Sequence, residues 1–353
     1  MPLEESRQPF HAPAISGWIT GPASLVFRGM VTFKNLLYDW RILPVSRLPK
    51  PVISIGNLSM GGTGKSPITM ALVESLCQTG LQVAVLSRGY GRKSPKDALW
   101  VKADTLAEIG GDEPVMMARR YPSIWVAVGP SRLSAAKVLP GIPDVYLLDD
   151  GFQHRQLHRD LDIVLINVSQ SLPQWFPKGF FRETLPSLQR ADWVVLTHCC
   201  NPKEAQAWEE RIARQKESLP VAKCRFQPKE LKEVGSSRVE SLDLLKDLPV
   251  AAYAGIANPL PFFQTLQDLG AQLQLRHVLK DHEGFTPEGF RTWLRKAKMQ
   301  GVRAVITTEK DAVKLDKHEV FDIVVFFLTT GVVWAEPTPM DAIIKLSRKK
   351  ESE

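Results

Sequence analysis

The chain is poor in cysteine. Cys77, Cys199, Cys200 and Cys224 are its only four, with no C-x-x-C spacing among them. That argues against a zinc ribbon or a disulfide framework and suits reduced thiols in cytosolic surroundings. Also missing is the run of about 20 apolar residues with few charges that a membrane-spanning helix needs. Ala12–Phe27 is uncharged but contains Gly17, Gly21 and Pro22, and Arg28 follows at once. No positively charged start leads into a small-residue cleavage site, so a secretory signal is not expected. Internal repeats and low-complexity tracts are absent as well, which sets aside repeat architectures.

What is present is enough for a large core. The 353 residues are 44% hydrophobic and 24% charged, a size that favours two domains. A formal net charge of +7 and a pI near 9.2 favour polyanions: nucleic acid, an anionic membrane surface or a phosphorylated substrate. Near the start, Trp18, Leu25, Val26, Phe27, Met30, Val31, Phe33, Leu36, Leu37, Tyr38 and Trp40 are mixed with Arg28, Lys34 and Arg41. That mixture suits a helix lying in the headgroup plane of a bilayer, with a helix packed on the protein's own core as the alternative.

Short apolar runs bounded by turn residues predict strands at Val52–Ile55, Val83–Ser87, Ile124–Val128, Val145–Leu148, Ile163–Asn167 and Val194–Thr197. Near-continuous hydrophobicity is expected of parallel strands covered on both faces, and intervening helical patterns such as Ile68–Thr79 complete a doubly wound α/β unit. A polar stretch near Cys224–Leu242 reads as a connector. Beyond it the pattern predicts strands Val250–Ala254, Gln272–His277, Ala304–Thr307 and Ile323–Leu328, with helices Pro261–Leu269, Pro287–Lys298 and Met340–Lys349. The expected fold is therefore α/β: an N-terminal membrane-contacting segment (1–45), a P-loop domain with a doubly wound sheet (46–223), a connector (224–245) and a second, smaller α/β domain (246–353).

The chemistry concentrates in a few stretches. In "GNLSMGGTGKSP", a glycine-rich turn follows a strand and precedes a helix opening at Lys65. Backbone N–H groups and a helix N-terminus then face an anion; Lys65 reaches the β/γ-phosphates and the Ser66 hydroxyl holds Mg2+. Ser59, Met60, Gly61, Gly62, Thr63, Gly64, Lys65 and Ser66 form the expected nucleotide cradle. Ser59 stands where a glycine is usual, which fits the relaxed x-K-G-G-x-G-K-[ST] variant. Met60 replaces that variant's extra lysine, so lysine-switched dimerisation is not supported. "VYLLDDGFQH" ends an apolar run in Asp149 and Asp150, a Walker B form with Asp149 on Mg2+. "GGDEP" sets Asp112 and Glu113 after a glycine turn, either as a helix cap or as a general base beside the γ-phosphate. "KDHEGF" places His282 between carboxylates, either a functional histidine or a surface turn, and "AGIANP" reads as a strand-to-helix turn. In "TTEKDAVK", Lys310 and Asp311 are adjacent, without the gap of a guanine-reading N-K-x-D.

Together with "LSRGYGR" and "GFFRE", these stretches, in this order from about Trp18 to Lys314, resemble the tetraacyldisaccharide 4'-kinase family, the lipid A 4'-kinases of Gram-negative bacteria. Departures are small: Ser66 for a common Thr, Phe181 for an expected Leu, and Glu283 where a second His is common. The resemblance implies transfer of the ATP γ-phosphoryl group to the 4'-hydroxyl of a tetraacylated glucosamine disaccharide 1-phosphate, with ATP and Mg2+ as cofactors. It implies Asp112 as base, His282 as the partner that orients or tunes it, and closure of the second domain around ATP. Glu113, Asp150, Gln153 and Glu183 resemble polar groups around Mg2+ and phosphate, Asp150 among the catalytic ones and Gln153 with the metal. Tyr90, Arg132 and Arg182, with Glu183, are expected to line the cleft for nucleotide or anionic headgroup. The expected location is the cytoplasmic face of the inner membrane. The expected partners are the acylated disaccharide and the membrane surface, with neither nucleic acid nor an obligate protein. A soluble P-loop kinase or ligase, and a nucleotide-gated membrane-binding ATPase, are the alternatives.

Overall fold

The computed structural model describes residues 17–170, 175–176, 179–281, 283–315 and 322–349. The apolar runs become strands β1 Val52–Asn57, β2 Val83–Ser87, β4 Trp125–Val128, β5 Val145–Asp149, β6 Leu161–Asn167 and β7 Trp193–Thr197, joined by a short β3 Leu99–Val101, and β1, β2, β5 and β6 are buried throughout. Only β3 runs antiparallel within this set, against β4. The rest are parallel, in the order β7-β6-β1-β5-β2-β4-β3. After β5 the chain steps to the far side of β1 to form β6. This reversal opens a crevice beyond the carboxyl ends of β1 and β5, where such sheets bind ligands.

Helices cover both faces of this sheet. Helices α2 (Lys65–Gln78) and α4 (Asp112–Arg120), preceded by the single turn α3 (Ala107–Gly110), bury Ile68, Leu72, Val115 and Met117 against Ile53, Ile55 and Leu147. On the other face, α5 (Arg132–Lys137) and α6 (Pro202–Ala213) bury Ala135, Trp208 and Ile212 against Leu86, Leu148, Val164 and Leu196. A side chain facing opposite ways at alternate strand positions therefore meets apolar cover on either side, which is why these strands lack polar alternation.

The second half adds β10 (Pro249–Ala254), β11 (Gln272–Val278), β12 (Ala304–Thr308) and β13 (Val324–Ala335), parallel in the order β11-β10-β12-β13. Helices α7 (Leu260–Asp268) and α8 (Pro287–Met299) sit over opposite faces of it, and α9 (Glu309–Ala312) follows β12. The two halves share one sheet. Strand β8 (Val221–Glu233), with β9 (Val239–Glu240) on its flank, pairs parallel with β7 and antiparallel with β13. Residues 224–245, expected as a connector, thus contain most of a long strand. Its residues alternate between apolar and charged (Cys224, Phe226 and Leu231 among Arg225, Lys229 and Lys232), so only one side buries. Helix α10 (Met340–Lys349) returns to pack on α2, and its Ile343 lies in the core of the first half despite its place at the end of the sequence.

Helix α1 spans Gly17–Asp39 and attaches by a partly polar stripe. Ser24 donates to the Trp175 carbonyl, Phe27 meets Trp175 and Phe176 edge-on, Asn35 donates to Glu183, and Arg155 bonds Asp39. The outward stripe is apolar: Leu25, Val26, Met30, Phe33 and Trp40 are all at least 60% exposed. No helix among the described residues is long and apolar enough to cross a membrane.

Gly56 shows how tightly the crevice floor is built, since a Cβ there would lie 2.5 Å from Phe152 Cβ and 2.7 Å from its backbone nitrogen. Overpacking of this kind costs about 1–3 kcal/mol. Gly56→Ala should lower the unfolding free energy by that much, read as a lower urea midpoint at unchanged slope in equilibrium denaturation.

Candidate active site

The loop after β1 holds its shape through bonds to the protein. Asn57 Nδ2 donates to Thr63 Oγ1 at 2.8 Å, Thr197 Oγ1 to the Thr63 carbonyl at 2.9 Å, and Asn167 Nδ2 to the Gly62 carbonyl at 3.3 Å. Gly61 and Gly64 have φ of 106° and 83°, a left-handed region costly for other residues. A Cβ on Gly64 would also meet the Phe226 ring of β8 at 2.2 Å, whereas Gly61 and Gly62 face open space. Ser59 is buried and its hydroxyl donates to Gln170, so a serine serves where the usual loop has glycine. Met60 is tied by its backbone N–H to the Phe180 carbonyl at 2.6 Å. Lys65 and Ser66 then open α2, whose first-turn N–H groups point into the crevice.

At the end of β5 two acids sit side by side. Asp149 is buried, and its Oδ2 accepts from Ser87 Oγ at 3.1 Å, while Oδ1 is buried without a partner among the described residues. Burial, reinforced by Glu113 and Asp150, pushes its pKa up to about 6. Asp150 adopts a left-handed φ of 52° and faces two cations, Lys65 Nζ at 3.6 Å and Arg182 Nη1 at 3.0 Å. Burial raises its pKa, but Lys65 and Arg182 outweigh that and the net direction is down. Gln153 donates to the Asn57 carbonyl at 2.8 Å and keeps its Oε1 buried, without a partner among the described residues.

These orphaned oxygens suit a divalent cation that takes its remaining ligands from phosphates and water. Mg2+ is commonly held by one or two carboxylates plus substrate phosphates. The described residues contain no cluster of three His, Cys, Asp or Glu side chains, so no all-protein cage competes with that arrangement.

Two residues expected to line the cleft sit elsewhere. Arg132 is fully buried, and Nη2 donates to the Asp149 carbonyl at 2.5 Å, so it props the Asp149–Asp150 turn from behind. Desolvation pushes its pKa down to about 10. Glu183 is buried too, paired with Arg190 at 2.7 Å and bonded by Asn35 of α1 at 3.0 Å. Each is a charged residue whose sequence neighbourhood does not reveal that it turns inward. Arg182 does reach the site, because the backbone of 180–183 is laced to 58–60. Tyr90 is exposed at a cavity of about 610 Å3 that also draws Lys34, Arg88, Arg92, Gln153, His154 and Arg155 to its walls. Burial, then Arg132 and Arg88, holds His154 down to about 4, so it is neutral at physiological pH.

Asp112 and Glu113 start α4, with Gly111 in the N-cap position and no side-chain capping bond. The capping explanation for "GGDEP" therefore falls away. Gly111 has φ 89° and lies so close to Gly89 that a Cβ would approach its Cα at 3.1 Å. Asp112 Oδ2 is 3.5 Å from Lys314 Nζ, and Glu113 Oε1 is 3.9 Å from Lys310 Nζ. His282 lies outside the described residues. Its neighbours are bound to the same lysines: Asp281 pairs with Lys310 at 3.3 Å, and the Glu283 carbonyl accepts from Lys314 at 3.0 Å. "GGDEP", "KDHEGF" and "TTEKDAVK" thus meet in space. Asp311 is spent on internal bonds, from Gly255 N–H at 2.8 Å and Thr308 Oγ1 at 2.6 Å, which leaves it unable to read a guanine base. The roles of Lys314 and Phe226 were not legible in sequence, since neither forms a motif by itself.

A raised pKa means that ionised Asp149 costs the metal-free protein stability. That stability is fully present below the unfolded pKa and is lost as pH rises through about 6. Asp149→Asn should raise the melting temperature of metal-free protein at pH 8, by the equivalent of about 1–3 kcal/mol. Near pH 4 the two proteins should melt alike in calorimetry.

Comparison with known proteins agrees with this geometry. The family model described as tetraacyldisaccharide-1-P 4'-kinase matches residues 16–347. A tetraacyldisaccharide 4'-kinase of Anaeromyxobacter sp. (strain K) is 38% identical over 305 residues, covering 83% of this chain and 80% of the relative. One from Bdellovibrio bacteriovorus is 34% identical over 321 residues, covering 89% and 91%. Among solved structures, LpxK from Aquifex aeolicus in complex with ATP superposes with a TM-score of 0.72 at 32% identity, covering 93% of this chain and 97% of that one. A glycine-rich phosphate loop, an acid pair at the crevice floor and a family match across nearly the whole length lead to one conclusion: the chain belongs to the tetraacyldisaccharide-1-P 4'-kinase family.

Proposed function

We propose that this kinase transfers the γ-phosphoryl group of ATP to the 4'-hydroxyl of a tetraacylated glucosamine disaccharide 1-phosphate at the cytoplasmic face of the inner membrane. The observation that carries the reading is the convergence of three charged sets on one crevice. Lys65 and Arg182 flank Asp150, Asp149 backs them, and Glu113 is near enough to raise Asp149. Phosphoryl transfer needs positioning and charge neutralisation more than covalent chemistry.

The loop from Ser59 to Ser66 cradles the phosphates. Lys65 and Arg182 offset charge on the transferring group. Asp112 accepts the proton of the acceptor hydroxyl, with His282 as its orienting partner. Ser66, Asp149 and Gln153 would hold Mg2+, which when bound neutralises the β- and γ-phosphate oxygens. The cavity walled by Lys34, Arg88, Arg92 and Arg155 suits the anionic sugar headgroup, and the neutral His154 adds a hydrogen-bonding edge. Lys34 belongs to α1, whose outward stripe of Leu25, Met30 and Phe33 would rest in the bilayer surface. That stripe counts against a soluble small-molecule kinase. The paired acids of α4 beside the crevice count against an ATPase without an acceptor.

Asp112→Asn should lower kcat by about 10²- to 10⁴-fold with ATP affinity within about two-fold of the parent, whereas Lys65→Ala should weaken both. Near-parental turnover by Asp112→Asn on the disaccharide acceptor would remove Asp112 from the base role. Phe33→Asp should weaken binding to vesicles of anionic phospholipid by about ten-fold or more in a sedimentation assay, since the buried apolar area supplies much of the affinity. Unchanged sedimentation would sink the membrane assignment of α1.

A further inference from the structure

The stretch "TTEKDAVK" has no part in the mechanism above, yet it grips α4 along its length. At the far end Arg120 Nη1 pairs with Glu309 at 2.8 Å, with both side chains nearly buried. One residue earlier, Arg119 Nη1 donates to the Val313 carbonyl at 3.2 Å. At the end facing the crevice, Lys310 reaches Glu113 and Lys314 reaches Asp112.

Lys314 is the most constrained of these groups. Its side chain is 13% exposed, with Nζ 2.9 Å from Asp311 Oδ1, 3.0 Å from the Glu283 carbonyl and 3.5 Å from Asp112 Oδ2. An ammonium group carries three N–H donors, and these three acceptors match them in number. The two shorter contacts lie within the second half of the molecule. Asp311 is itself anchored there by Gly255 N–H and Thr308, and a Cβ on Gly255 would come within 2.9 Å of Asp311 Oδ1 and 2.8 Å of the Glu283 carbonyl. The ammonium is therefore delivered as part of a fixed cluster drawn from "AGIANP", "KDHEGF" and "TTEKDAVK". Its longest contact is the one that crosses to α4.

We propose that Lys314 is a positioning residue for phosphoryl transfer: it aims the Asp112 carboxylate at the acceptor hydroxyl and makes that aim depend on engagement of the second half of the molecule. The inference rests on the reading of Asp112 as base. A positively charged group held by two other acceptors restricts the carboxylate rotor without itself touching the substrate. Displacing the cluster from α4 releases that restriction. An idle enzyme with its halves apart would thus keep a poorly aimed base, and acceptor-independent loss of ATP would be low.

The test is a kinetic cycle with the full chain, ATP and the disaccharide acceptor. Lys314→Met should lower kcat by about 30-fold with KM for ATP within about two-fold, and Lys314→Arg should recover most of the loss, in the range of coupling seen for residues acting as a unit. In the Asp112→Asn background, Lys314→Met should cost less than about two-fold more, because its partner is already gone. Losses that multiply across the two sites would overturn the proposal, as would near-parental kcat in Lys314→Met. A kcat loss that merely tracks the fall in melting temperature across Met, Gln and Arg at this position would also overturn it, since that is the signature of a structural pair. Near-parental activity of Asp112→Asn alone is a separate outcome. It would fail the base assignment first and take this proposal with it, whatever the Lys314 variants do.

Discussion

The structure depends on keeping two neighbouring carboxylates, Asp149 and Asp150, in the floor of one crevice. Like charges at this separation repel, and burial penalises each further. The protein solves the problem unevenly. Asp150 receives Lys65 and Arg182, and the net effect holds it ionised. Asp149 receives one hydroxyl, from Ser87, and retains an oxygen without a partner among the described residues and a pKa raised to about 6. The buried Arg132 supports both from the backbone side, through carbonyls rather than carboxylates. A carboxylate whose charge is penalised by burial gains from a nearby cation, which supports the proposed Mg2+ role of Asp149.

That floor is placed by the sheet. Ile55 of β1 lies opposite Asp149 of β5, which brings the phosphate loop and the acid pair to the same edge. The same sheet then continues through β8 and β13 into the second half. Phe226 of β8 packs against Gly64, and α9 grips α4, so the second half touches both the nucleotide loop and the acids of "GGDEP". Movement of one half against the other would be felt at both places.

Much of this was legible in sequence, and the reasons are specific. Strands β1, β2, β5 and β6 are covered on both faces, so their unbroken hydrophobicity announces them. The phosphate loop and the Asp149–Asp150 pair each combine a strand end with a distinctive residue order. Strand β8 was hidden because it buries alternate positions and carries charges between them. Arg132 and Glu183 were expected at the cleft because the family resemblance implied it, and a resemblance carries residue identity without side-chain direction. Here their partners, the Asp149 carbonyl and Arg190, sit 17 and 7 residues further along the chain, at spacings that no motif announces. Lys314 escaped for the same reason: its importance lies in three contacts from three separate stretches.

The proposed reaction is a single transfer between two bound substrates, nucleotide on the β1 side and glycolipid beneath α1. The most direct measurement is to incubate the protein with γ-labelled ATP and a tetraacylated disaccharide 1-phosphate, then locate the label by tandem mass spectrometry. One added phosphate, on the 4'-oxygen, is the expected product. Label recovered only as inorganic phosphate, or on another hydroxyl of the disaccharide, would contradict it.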